Sequence, residues 1–163
     1  MPATLTRLSL DLPGQSRNDS LSWRPDGKSI WNKVTVYLRR YMNMRGELSC
    51  HLFGRVPGFA PSSAAQTDIS RIFEIWNECL DRSGGPFLFG EFCIADAVYF
   101  PVLTRLRTYG VPLPETIAGY ERALDTLPAV RKLIELARTE PRTPVYDDYV
   151  RGLGGDPDAA LSA

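Results

Sequence analysis

Apolar residues recur at intervals of three and four through the middle of this chain, the spacing that lines one side of a helix. Between Ser29 and Leu52 they fall at Trp31, Val34, Leu38 and Tyr41, with Arg45 next in line. A second row of Tyr37, Tyr41, Met44 and Leu48 lies only slightly rotated from the first. Together they predict one helix over 29–52 with a face broad enough to meet both a core and a cleft. Gly54, Pro57, Gly58 and Pro61 break the pattern. A second helix is predicted over 63–82, with Ile69, Ile72, Phe73, Trp76, Cys79 and Leu80 inside and Asp68, Arg71, Glu74, Glu78 and Asp81 largely outside. Gly84-Gly85-Pro86 stops it. A third should run from Ile94 to about Tyr109 on a stripe of Ala95, Val98, Val102 and Leu106, kinked at Pro101 by the missing backbone donor. Two shorter helices are expected over 114–126 and 128–138, each opening on a proline whose absent N–H costs nothing there.

The two ends read differently. Leu8, Leu10 and Leu12 alternate, enough for one short strand, and a polar run follows. From Pro141 onward Pro, Gly, Asp and Ala dominate, with Tyr146 and Tyr149 as the aromatic anchors. The expected organisation is an N-terminal extension over 1–27, a helical domain over 28–140 and a flexible tail over 141–163 that folds back if those tyrosines find a pocket. The fold class is all-α, a bundle with short connections.

Composition narrows the function. The chain has 163 residues, of which 44% are apolar, enough for one domain with a sizeable core. Lys and Arg number 19, and so do Asp and Glu, which argues against a dedicated nucleic-acid binder. No apolar run approaches the ~18 residues of a membrane helix, and Arg7 and Asp11 interrupt the first residues where a secretion signal would be apolar. A cytoplasmic protein without membrane or nucleic-acid partners is expected. The zero net charge is a sum of unlike parts. Residues 1–60 hold nine basic and four acidic side chains, whereas residues 140–163 hold two and five. The positive excess gathers at Arg24, Lys28, Lys33, Arg39, Arg40 and Arg45, around the predicted first helix, and favours an anionic ligand there.

Candidate chemistry is sparse. Cys50, Cys79 and Cys93 are odd in number and form no Cys-x-x-Cys pair, so they read as thiols rather than a disulfide frame or zinc site. His51 is the one histidine, which excludes multi-histidine metal sites; at the end of the predicted first helix it reads as a cap. Asp26-Gly27-Lys28-Ser29 lacks the glycine that a phosphate loop needs five places earlier, where Ser22 stands.

Gly85-Pro86-Phe87-Leu88-Phe89-Gly90-Glu91-Phe92-Cys93-Ile94-Ala95-Asp96-Ala97 carries the sharpest signal. It resembles the glutathione S-transferase C-terminal domain, in which a Phe-Leu-x-Gly turn leads through a Ser-or-Thr-x-x-Asp capping box into the central helix. Tyr99-Phe100-Pro101-Val102-Leu103-Thr104-Arg105-Leu106 resembles that helix, and Leu127-Pro128-Ala129-Val130 the step into the last conserved one. Met44-Arg45-Gly46-Glu47-Leu48 and Arg55-Val56-Pro57-Gly58 resemble the end of the first helix and the loop after it. Cys93 departs from the pattern, because a thiol is a weak acceptor where the family has a hydroxyl. The resemblance also implies a thioredoxin-like domain of glutathione-binding type ahead of the helices, for which about 27 residues leave no room. No cofactor is therefore expected; glutathione stays possible, with its usual binding domain absent.

The retained half of the resemblance implies a pocket for a hydrophobic co-substrate. Its expected walls are Trp31, Val34, Tyr37, Leu38, Tyr41 and Arg45 with Tyr99, Leu103 and Arg105. Tyr37 or Tyr41 as proton donor and Arg45 or Arg105 as anion stabiliser would suffice for a cofactor-free isomerisation, elimination or addition on a hydrophobic, anionic small molecule. The alternative is a non-catalytic assembly module that binds a partner protein, or itself as a homodimer, through the first-helix face. A degenerate glutathione transferase ranks third.

Overall fold

The structure is a computed structural model, and it describes residues 41–161. Among the described residues six helices follow one another: α1 Met42–Glu47, α2 Ser63–Ser83, α3 Ile94–Thr108, α4 Glu115–Thr126, α5 Pro128–Thr139 and α6 Pro144–Gly152. Only isolated bridges join extended residues among those described, so the all-α expectation holds. The predicted strand at Leu8–Leu12, the domain boundary near residue 27 and the first part of the predicted first helix lie outside the described residues.

Helix α1 ends earlier than its periodicity suggested. It ends at Glu47, and Leu48 turns extended at its C-cap. The reason lies in what the next residues find to bond with. The amide of Ser49 donates to the Tyr109 hydroxyl at 3.0 Å, the Thr108 hydroxyl donates to the His51 carbonyl at 2.6 Å, and the Val56 amide donates to the Thr108 carbonyl at 2.7 Å. The end of α3 thus satisfies a loop over 48–56 that would otherwise need helical bonds.

Helices α1 and α2 cap each other across the chain. Asp68 of α2 accepts from the amides of Asn43 and Met44 at 3.1 Å each, while Glu47 of α1 accepts from the Ser62 amide at 2.9 Å and from the Ser62 hydroxyl. These carboxylates satisfy donors that a helix start leaves orphaned. Ser62 in turn caps α2 through the Ala65 amide. The bond from Ser62 holds the Glu47 carboxyl below its ordinary range.

The core is aromatic at its centre. Trp76 of α2 meets Tyr99 of α3 edge-on at 5.2 Å and Tyr120 of α4 at 5.6 Å, and all three are buried. Burying such rings is a major share of a small domain's apolar gain, with about 0.5–1.5 kcal/mol more from each edge-to-face pair. Helix α3 runs continuously through Pro101, whose missing donor is owed only to the exposed Ala97 carbonyl region. Its inward stripe differs from the expected one in a single member. Ala95, Val102 and Leu106 are buried with Tyr99, Phe100 and Leu103, but Val98 faces outward at 42% exposure. Helices α4 and α5 start beside their prolines as predicted, with Pro114 as the N-cap of α4 and Pro128 in the first turn of α5.

Candidate functional site

The turn before α3 explains how its start is buried without loss. Gly85 allows a close crossing, since a Cβ there would come within 2.6 Å of the Gly90 backbone. Gly90 itself takes φ 90°, a conformation open to glycine. The chain then delivers Asp96, fully buried, to two backbone donors: the Cys93 amide at 2.8 Å and the Leu88 amide at 3.1 Å. The reciprocal half of the box is present too, with the Cys93 side chain facing the Asp96 amide. Burial pushes the Cys93 thiol up, and the adjacent Asp96 carboxylate adds to this, so the sulfur is a neutral cap rather than a nucleophile.

The expected site residues divide between core and surface. Trp31, Val34, Tyr37 and Leu38 lie outside the described residues. Tyr41, Tyr99 and Leu103 point into the core. Burial drives the Tyr99 phenol up to about 12, moderated by a hydrogen bond with Tyr41, which keeps it protonated near neutrality. Arg45 is exposed on α1. Arg105 lies at the rim, with Nε donating to the Leu48 carbonyl at 2.9 Å and Nη1 to the Pro101 carbonyl at 3.0 Å. It therefore holds the C-cap of α1, the helix that carries Arg45 in its last turn.

Beside them runs a row that sequence reasoning did not single out. Ile94, Val98, Pro101 and Arg105 follow at spacings of four, three and four along the outward side of α3, with Ile94 67% exposed. Cys50 borders the row, its sulfur 3.4 Å from the Thr104 hydroxyl. The spacing was legible in the sequence, but Val98 belongs equally to the inward stripe predicted from Ala95 and Val102. Only the position of the core decides between the two sides.

His51 and Asp147 form the one Asp–His pair among the described residues. Nε2 and Asp147 Oδ1 are 2.9 Å apart, and Nδ1 accepts from the Gly54 amide at 2.7 Å and the Phe53 amide at 3.3 Å. Those amides fix the tautomer, leaving Nε2–H to donate to Asp147. Both ring nitrogens are occupied, so the imidazole ties a loop to α6 and has no atom left to activate a nucleophile. The expected helix-end cap is not what forms: α1 ends at Glu47 with Leu48 as its C-cap, and His51 instead organises the loop that follows. The described residues contain no cluster of metal-ligating side chains and no helix long and apolar enough to cross a membrane.

An all-helical domain whose central helix starts at a buried Asp capping box is the class of protein that this geometry defines. The family model for the glutathione S-transferase C-terminal domain matches residues 46–135, more than half of the chain. The chain belongs to that family. A comparison with curated proteins finds no match, and neither does a comparison with solved structures.

Proposed function

We propose that this domain binds a hydrophobic, anionic small molecule along the outward side of α3. The observation that carries the reading is the exposed apolar row of Ile94, Val98 and Pro101 ending at Arg105, with Arg45 on the neighbouring helix. An acyl or aryl body would cover the row, and a carboxylate would meet the guanidinium pair, for which Arg offers two-point geometry. Of the residues put forward for catalysis, Arg45 and Arg105 are at the surface, where they would stabilise an anion developing on the ligand. The buried Tyr41 would reach a ligand only if the core opened.

Dodecanoate is a suitable probe, followed by isothermal titration and by the methyl resonances of Ile94 and Val98. Arg45→Gln should weaken binding about tenfold, the worth of one charge-assisted hydrogen bond, and added salt should narrow the difference. Binding that leaves those methyls unmoved, or that ignores Arg45→Gln, would rule out the site. The exposed row with Phe92 beside it also fits the second reading, an assembly surface. A dimer that persists on dilution in light scattering and buries Val98 would favour that alternative.

A further inference from the structure

Residues 142–161 lie beyond the family match, and their hold on the domain is narrow. Among the described residues, the polar ties that leave this segment reach residues 47–55. The Tyr149 hydroxyl donates to the Glu47 carbonyl at 3.0 Å, Asp147 accepts from His51, and Ala160 donates to the Phe53 carbonyl at 2.9 Å. Arg55 and Asp156 exchange a pair of backbone bonds at 2.9 Å each. Gly155 completes the fit, because a Cβ there would come within 2.5 Å of the Arg55 carbonyl.

Charge rather than apolar area closes the segment. Arg142 reaches both oxygens of Asp147 at 3.2 Å, Asp158 at 2.8 Å and the Pro157 carbonyl at 3.1 Å. The buried residues of α6 are Asp147 and Val150, while Val145, Tyr146 and Leu153 are exposed, as is Tyr149, whose hydroxyl bonds the Glu47 carbonyl. By contrast α2 buries seven residues. A segment with little buried apolar surface, joined to α5 through the exposed residues Glu140–Thr143, belongs at the low-stability end of a domain.

We propose that residues 142–161 are a detachable strap, closed by the His51–Asp147–Arg142–Asp158 network, which opens as one unit while α2, α3 and α4 stay folded. Opening uncovers Val56 and releases Nε2 of His51, while Nδ1 stays held by the Phe53 and Gly54 amides of the loop. The strap is thus a conformational gate over the loop 48–56.

Hydrogen exchange on the full chain at neutral pH tests the proposal. Amides of the strap should exchange together, at least 100-fold faster than those of α2 and α3 after correction for intrinsic rates. Asp147→Ala should speed strap exchange by a further tenfold or so and leave α2 and α3 unchanged, and Arg142→Gln should act in the same direction by less. A strap as protected as α2, or a loss of protection spread equally over α2 and α3 in both variants, would overturn it.

Discussion

Asp96 offers the sharpest test of how the domain is held together. Its carboxylate is fully buried and accepts from two backbone amides, one on the turn at Leu88 and one at the helix start at Cys93. Asp96→Ala strands both donors where water cannot reach the first of them. Each bond to a charged acceptor is worth about 1.5–3 kcal/mol, and a stranded donor costs its own desolvation. Relief of the burial cost of the carboxylate offsets part of the sum, leaving a net loss of about 3–4 kcal/mol. Against a typical total of about 5–15 kcal/mol that is a large fraction, visible as a fall in melting temperature of roughly 10–15 °C. Asp96→Asn keeps one acceptor oxygen and should lose about half as much. Denaturant titration followed by circular dichroism measures both. A loss below about 1 kcal/mol for Asp96→Ala, or equal losses for the two variants, would show that packing of α3 and not the carboxylate fixes the turn.

Two further outcomes follow from neighbouring groups. Cys93→Ser puts a true hydroxyl acceptor at the N-cap of α3 and should stabilise the domain by about 0.5–1 kcal/mol in the same titration; a destabilised variant would mean that the sulfur is needed for packing. The hydrogen bond from His51, with the Arg142 guanidinium, holds the Asp147 carboxyl below its ordinary value of 3.8. A carboxylate with a depressed value in the folded state stabilises fully above that ordinary value, and the benefit fades as pH falls through the lower one. The difference in strap protection between the native chain and Asp147→Asn should therefore be constant from neutral pH down to about pH 4 and shrink below it. A difference that instead disappears well above pH 4 would assign the effect to another group.

Much of the architecture was written in local pattern. The spans of α2 to α5 follow from three-and-four periodicity with Pro or Gly at their ends, and those signals act within a few residues. The capping box from Cys93 to Asp96 was equally legible, because both partners sit on one turn. The proposed site was legible only in part. The sequence put Arg45 and Arg105 forward, and it grouped Tyr99 and Leu103 with Arg105, whereas these two are buried in the core. An amphipathic helix shows which residues share a side, but when both sides carry apolar residues its sequence does not say which one meets the core.

The C-terminal segment marks the same boundary. Its composition suggested a flexible tail with Tyr146 and Tyr149 as anchors; in the structure α6 buries Asp147 and Val150, Tyr149 reaches the Glu47 carbonyl through its hydroxyl, and Tyr146 is exposed. Asp147 finds its partner His51 96 residues away. Asp68 likewise caps α1 across 24 and 25 residues, although it sits at a polar position on α2. The sequence by itself determined α2 to α5 and the turn that opens the central helix, since propensity, capping and periodicity are short-range. Tertiary structure alone decided where α1 stops, which side of α3 is free and what holds the C-terminal segment. Each of those depends on which polar group, distant along the chain, arrives to satisfy a buried donor or charge.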